Sequence, residues 1–142
     1  MEKKINVEII NSFITKVKEE YETDSKWSLF NLSEYVQTLA YIISKYLNYW
    51  YKIKYWKEQM EKEYNDLWID VFMSYKQDSD LKLSTSDVKM LVDRDRRLGE
   101  KKEILSLLSH AGEYIEKCID NLKGSRYDTR VLVDYEKFKA GV

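Results

Sequence analysis

The stretch that decides the fold is residues 29–74, which read LFNLSEYVQTLAYIISKYLNYWYKIKYWKEQMEKEYNDLWIDVFMS. Apolar residues recur there at alternating spacings of three and four without a change of frame. The series is Leu29, Leu32, Val36, Leu39, Ile43, Tyr46, Trp50, Ile53, Lys57, Met60, Tyr64, Leu67, Val71 and Ser74. Only Lys57 and Ser74 are not apolar. This heptad spacing keeps one seam of a helix facing a partner helix, as in a left-handed coiled coil or a bundle.

The length of this helix predicts an elongated molecule. No Pro or Gly interrupts it, and at ~1.5 Å per residue it is roughly 70 Å long. A compact domain of this size has a radius of gyration of only about 15 Å. We therefore expect a helical hairpin or bundle that assembles into an oligomer, with the seam covered by other helices of the chain or by other subunits. The candidate oligomer interface is Val36, Leu39, Ile43, Tyr46, Trp50 and Ile53.

Composition supports an all-α fold. The 142 residues include no Pro and four Gly, so the main helix breakers and turn formers are scarce. No run of ~18 uncharged apolar residues predicts a membrane span, and the first residues lack the features of a secretory signal. We expect a cytoplasmic protein. The net charge is −1, so a partner selected by charge must recognise a local patch.

The sequence predicts a single all-α domain with four elements. Residues 1–24 form an amphipathic helix that ends at Thr23-Asp24-Ser25, and residues 28–77 form the long heptad helix, which ends near Gln77-Asp78-Ser79-Asp80. Residues 84–123 form a third helix, with Ser84 as its N-cap and Gly124 as its C-terminal stop. Residues 126–142 form a short C-terminal element.

One part of the long helix has an unusual composition. Residues 35–57 contain no Asp or Glu, four lysines and eight aromatic residues. The lysines are Lys45, Lys52, Lys54 and Lys57, and the aromatic residues are Tyr35, Tyr41, Tyr46, Tyr49, Trp50, Tyr51, Tyr55 and Trp56. Two interpretations stay open and are compatible on different faces. The aromatic residues are typical of a subunit interface, and lysines with aromatic faces are also typical of single-stranded nucleic acid binding.

Catalytic and metal-binding patterns are weak. His110 is the only histidine and Cys118 the only cysteine, and both fit a helix better than a catalytic set. Asp66 and Asp70 are two carboxylates one turn apart, which is too few for a hard-metal site. The charged run of residues 93–103 is typical of a solvated helix face, with a phosphate contact from Arg96 or Arg97 as the minority interpretation. We expect no enzyme activity, no cofactor and no metal.

The chain resembles the UvsY family of bacteriophage recombination mediators. The resemblance rests on Ser44-Lys45-Tyr46-Leu47-Asn48 followed by Ile53-Lys54, and on Val88-Lys89 at the start of the third helix. It rests further on Ser125-Arg126 after a helix that contains Cys118, and on the ending Phe138-Lys139-Ala140-Gly141. These segments occur in the family's order and cover most of the chain.

The resemblance implies an all-α protein that forms rings of six or seven subunits and binds single-stranded DNA. It implies two further partners, a UvsX-type phage recombinase and a single-strand-binding protein, in the cytoplasm of an infected bacterial host, with no membrane. One feature departs from the family. A Lys-x-Arg pair tied to DNA binding is expected near the end of the long helix, where residues 65–72 of this chain carry no basic residue.

We therefore predict a recombination mediator that binds single-stranded DNA and helps to load a recombinase onto DNA covered by single-strand-binding protein. The predicted nucleic-acid-binding residues are Lys45, Lys52, Lys54, Lys57, Arg126 and Arg130. The alternative is a non-enzymatic coiled-coil structural or adaptor protein without DNA affinity. Both explain the heptads, but only the first explains a stretch rich in lysine and aromatic residues and free of carboxylates.

Overall fold

The computed structural model describes residues 4–78 and 83–141. Within them lie the α-helices α1 (Val7–Asp24), α2 (Leu32–Asp78), α3 (Thr85–Asp93) and α4 (Arg96–Lys139). These residues contain no strand, and the all-α prediction is confirmed. Residues 79–82, where the predicted end of the long helix partly falls, lie outside the described residues, as do residues 1–3 and 142.

The helices α2 and α4 form an antiparallel hairpin. Near its closed end, Lys101 Nζ lies 3.0 Å from Glu63 Oε2. Farther along, Gly112 faces Ile53. Beyond that point, Trp50 Nε1 donates a hydrogen bond of 3.0 Å to Glu116. Along these three contacts the residue numbers fall in α2 and rise in α4, so the two helices are antiparallel.

The heptad seam lies on the buried face of α2. Its members Leu32, Leu39, Ile43, Tyr46, Ile53, Met60 and Val71 are buried. Most of them pack in one core with α4 residues such as Leu108 and Ile115. Leu29 lies before the start of α2 and is 66% exposed, so the seam begins at Leu32.

This burial changes the predicted oligomer interface. Leu39, Ile43, Tyr46 and Ile53 lie in the core of the chain, and Val36 and Trp50 are half-buried. The physical reason is that α4 has 44 residues against 47 in α2, so it runs beside most of the seam. These positions therefore contact mainly helices of the same chain.

Helix α1 packs on the hairpin through two aliphatic side chains and one aromatic ring. Ile10, Phe13 and Val17 are buried. The Phe13 ring meets Tyr49 edge-on with centroids 5.5 Å apart, and it meets Trp56 at 5.4 Å. The helix is capped by Asn6, whose side chain accepts a hydrogen bond from the Ile9 amide. The predicted helix 1–24 is therefore present from Val7, and it ends at Asp24 as expected.

The predicted third helix, residues 84–123, is broken in two. Ser84 is its N-cap as predicted and accepts a hydrogen bond of 3.2 Å from the Asp87 amide. The helix then stops at Asp93, because Asp95 adopts an extended backbone and caps a new helix by accepting from the Arg97 amide at 2.8 Å. A second apolar cluster joins this corner to the end of α2 and contains Val71, Val88, Val92 and Leu98.

The predicted stop at Gly124 is wrong. Helix α4 continues through this glycine to Lys139, so the predicted separate element 126–142 forms the last turns of α4. The physical reason is that α4 still has a surface to pack on beyond Gly124. Thr129 is fully buried, and Val133 lies beside Leu29 and Leu32 at the open end of the hairpin.

The continuity of α4 gives a direct prediction. Replacing Gly124 by Ala should raise the free energy of unfolding by about 0.5–1 kcal/mol, because alanine stabilises a helix interior relative to glycine. No neighbouring atom lies within 4 Å of an added Cβ. Urea unfolding followed by circular dichroism measures the change. The control is Gly141→Ala, which should give no gain because Gly141 has φ +74. A destabilised Gly124→Ala protein would mean that α4 ends at this residue.

The cap at Asp95 gives a pH-dependent prediction. Hydrogen bonds from the Arg97 side chain, at 2.9 Å, and from the Tyr75 hydroxyl, at 2.7 Å, hold the pKa of Asp95 well below its usual range. A lowered pKa stabilises the fold above the unfolded pKa of about 3.9, and this stabilisation is lost as pH falls through the lower folded pKa. Asp95→Ala should therefore lower the Tm at neutral pH, and the gap to the parent should narrow below about pH 4.

Thermal melts at several pH values test this prediction. Asp66→Ala, which removes an exposed carboxylate from α2, is the control and should change the Tm little at any pH. A gap between Asp95→Ala and the parent that is the same at acidic and neutral pH would contradict the role given to the ionised Asp95.

Candidate nucleic-acid interface

The aromatic residues of the carboxylate-free stretch 35–57 fall into two groups. Tyr35 and Tyr46 are buried, and Tyr49, Trp50 and Trp56 are half-buried. Tyr41 is 74% exposed, Tyr51 60% and Tyr55 51%. The first group lies in the core or in the contact between α2 and α1. The second faces solvent, although tyrosine rings usually bury much of their surface.

The exposed tyrosines share one side of α2. At 100° per residue, Tyr41, Ser44, Asn48, Tyr51, Lys52 and Tyr55 fall within about a third of the helix circumference. We call these six residues the tyrosine face. Tyr41 and Tyr51 are about 15 Å apart along the axis, and Tyr51 and Tyr55 are about 6 Å apart. All six positions lie within the carboxylate-free stretch.

The predicted binding residue Lys45 forms ion pairs within the chain. Its ammonium lies 2.5 Å from Asp24 and 3.9 Å from Glu20, both on α1. The Tyr46 hydroxyl donates to the same Asp24 at 2.9 Å. The Tyr49 hydroxyl donates to Glu20, and burial together with this bond raises the pKa of Tyr49 to about 12. The α1 carboxylates therefore offset the charge of Lys45.

Lys52 lies at the edge of the tyrosine face and next to α1. Its ammonium is 4.8 Å from the centroid of the Phe13 ring and 5.1 Å from that of Trp56. Lys16 reaches the same aromatic cluster from α1, with its ammonium 5.6 Å from the Tyr49 centroid. Both lysines are exposed, and cations over ring faces are held in place. The sequence pattern does not indicate Lys16 as a candidate, because only the docking of α1 brings it beside Lys52.

Lys54 and Lys57 lie on the other flank of α2, where α4 contributes acidic side chains. Both line a groove of about 360 Å³ together with Glu113 and Glu116. The Lys54 ammonium is 5.1 Å from the Trp50 ring centroid. Carboxylates next to these lysines disfavour a phosphate in the same groove. Lys52 is therefore the best placed of the four predicted lysines.

Arg126 and Arg130 are exposed on α4 but lie apart from Lys52. The hairpin register places them level with the first turns of α2, since Val133 and Lys137 lie beside Leu32 and Ser33. The offset from Lys52 along the hairpin is about 20 Å. A strand must be several nucleotides long to touch both groups within one chain.

The remaining candidates form no catalytic arrangement in the described parts of the chain. Cys118 is buried, which raises the pKa of its thiol. His110 is exposed, and its Nδ1 lies 4.0 Å from Glu113. Arg97 is paired with Asp95. Among residues 4–78 and 83–141, no group of His, Cys, Asp or Glu side chains is placed to hold a metal ion, and no helix is long and apolar enough to cross a membrane.

Comparison with known proteins places the chain in a class. The family model described as "Recombination, repair and ssDNA binding protein UvsY" matches residues 20–142. The match covers most of the chain, and the protein belongs to the UvsY family. The resemblance inferred from the sequence is confirmed. Most of α1 precedes the matched range. No individual curated protein sequence matches the chain.

Solved structures show the same fold. A crystal structure of the bacteriophage T4 recombination mediator protein UvsY, lattice type IV, has a TM-score of 0.77 at 15% identity, and the match covers 89% of this chain and 98% of the T4 chain. A second structure of the T4 protein, lattice type II, has a TM-score of 0.75 at 17% identity, with 89% and 96% covered. At these identities the likeness concerns the fold.

Proposed function

We propose that this protein is a non-enzymatic recombination mediator that holds single-stranded DNA along the tyrosine face of α2. The observation that carries the proposal is the exposure of Tyr41, Tyr51 and Tyr55 on a face without carboxylates. Aromatic faces stack nucleobases at ~1–3 kcal/mol each, whatever the sequence. Lys52 and Lys16 supply cations for phosphates beside that face.

The mediator activity would depend on the shape in which the protein holds the DNA strand. We propose that the bound strand fits a single-strand-binding protein poorly and a UvsX-type recombinase well, so that binding shifts the DNA towards the recombinase. The family membership supports these partners. Each subunit offers few cations, so linked sites in an oligomer are needed to hold a strand tightly.

The last turns of α4 carry a stripe of exposed apolar side chains. Exposed apolar residues recur there at helical spacing, with Tyr127 71% exposed, Val131 49%, Tyr135 54% and Phe138 80%. Soluble monomers rarely leave such a stripe uncovered. We propose that this stripe, rather than the heptad seam, joins subunits into a ring of six or seven.

The alternative function is a structural or adaptor protein without DNA affinity. It accounts for the hairpin and the α4 stripe equally well. It does not account for three exposed tyrosines beside Lys52 on a face without carboxylates. DNA binding therefore separates the two candidates.

The proposed DNA contacts predict how binding depends on salt. The double variant Lys52→Ala and Lys54→Ala should bind a labelled single-stranded oligonucleotide more weakly. The slope of log affinity against log salt should fall by ~0.7 for each lost phosphate contact. Fluorescence anisotropy across a salt series measures both. The effect of Lys54 should be the smaller one, because Glu113 and Glu116 line its groove.

The control for this experiment removes the same charge elsewhere. Lys89 on α3 and Lys117 on α4 are exposed, and replacing both by Ala should leave the affinity and the slope nearly unchanged. Equal losses in the two double variants would indicate a response to net charge only. If the parent itself binds no single-stranded DNA at low salt, the adaptor function is favoured.

The proposed α4 interface gives a prediction about assembly. Val131→Glu combined with Phe138→Glu should split the oligomer into smaller species, because a buried interface does not accept unpaired carboxylates. Helicity should be retained, since both side chains are exposed in the single chain. Light scattering and circular dichroism measure the two properties. Ile69→Glu with Met90→Glu, at exposed apolar sites elsewhere, is the control. A parent that is a monomer at micromolar concentration would refute the proposed assembly.

A further inference from the structure

A cleft of about 560 Å³ opens between the start of α1 and α2. Its walls combine apolar, aromatic and polar side chains. Ile5 and Ile9 contribute from the α1 side, and Tyr55, Trp56, Gln59 and Glu63 contribute from α2. Neither the family match nor the charge pattern assigns a role to this cleft.

The wall chemistry suits a flat heteroaromatic group. Two aliphatic side chains and two aromatic rings favour an apolar, planar occupant. Gln59 can both donate and accept a hydrogen bond, and Glu63 can accept one, as these side chains do at the edges of nucleobases. The charge of Glu63 is balanced by Lys101 at 3.0 Å, so the cleft has no unpaired carboxylate to repel a nucleotide.

The cleft is continuous with the tyrosine face. Tyr55 belongs to both, and Lys52 lies one turn before Trp56 with its ammonium 5.1 Å from that ring's centroid. Lys4 is a further cation in the lining of the cleft. A nucleotide with its base in the cleft would therefore have cations within reach of its phosphate.

We propose that this cleft takes one unstacked nucleobase of the single strand that lies on the tyrosine face. The rings of Tyr55 and Trp56 contact the base, and Lys52 contacts the adjacent phosphate. This inference rests on the proposed DNA binding and narrows it. Affinity depends on bases as well as phosphates, and duplex DNA is disfavoured because a paired base cannot enter.

The test compares two short oligonucleotides of about eight residues, within the site size of one binding module. One is intact and the other has the same phosphates but abasic sugars. Anisotropy with the full-length protein should show more than tenfold tighter binding of the intact strand, because bases contact the tyrosine face as well as the cleft. A much smaller ratio for the parent would overturn the proposal.

Variants of the cleft test whether it causes the difference in affinity between the intact and abasic strands. Ile9→Trp fills it and should weaken binding of the intact strand while leaving the abasic strand unchanged. The matched control is Ile69→Trp, at an exposed isoleucine in the second half of α2, which should keep the parent's ratio. Gln59→Ala removes a hydrogen-bonding side chain of the cleft at an exposed site outside the tyrosine face, and it should lower the ratio of intact to abasic binding even if Ile9→Trp folds poorly.

The outcomes separate the cleft from the proposed function. An unchanged ratio of intact to abasic binding in Ile9→Trp, or equal weakening of both strands by it, overturns the nucleobase cleft and leaves the tyrosine face as the DNA site. Equal binding of the intact and abasic strands by the parent overturns the base contacts of the cleft and of the tyrosine face together. Failure of the parent to bind either strand at low salt overturns the proposed function as well. A lower ratio of intact to abasic binding in Gln59→Ala but not in Ile69→Trp supports the cleft.

Discussion

The structure depends on burying one face of a 47-residue helix along its whole length. A helix of this size is roughly 70 Å long, and a chain of 142 residues can cover it only with a second helix of similar length. Helix α4 meets this requirement because it does not stop at Gly124. The same requirement takes the heptad seam into the core of the chain and leaves the outer surfaces of α2 and α4 for other partners.

The position of the helices decides which residues of the carboxylate-free stretch remain available. Helix α1 covers one flank of α2, where Asp24 offsets Lys45. Helix α4 covers the other flank, where Glu113 and Glu116 lie beside Lys54 and Lys57. Only the strip between them keeps exposed tyrosines with a lysine and no carboxylate. A protein with a net charge of −1 can thus present a local surface of exposed tyrosines and lysine without a carboxylate.

The sequence was sufficient for the features that depend on periodicity and capping. The heptads predicted α2 and its buried face, and Ser84 was recognised as an N-cap. Gly124 was misread because a glycine after an apolar run is a common helix stop, and its tolerance in α4 depends on distant packing. Lys16 and the cleft at Ile9 were missed for a related reason. Lys16 comes near Lys52, and the cleft forms, only when α1 docks on α2. The sequence pattern of either helix alone does not predict that docking.

In the proposed function, single-stranded DNA lies on the tyrosine face. Photo-cross-linking to an oligonucleotide that carries iododeoxyuridine, followed by mass spectrometry of the peptides, tests it most directly, because the cross-link forms with aromatic rings in contact with the base. If the strand lies on the tyrosine face, cross-links form at Tyr41, Tyr51 and Tyr55. Cross-links confined to α3 or to the last turns of α4, with none on α2, would contradict it.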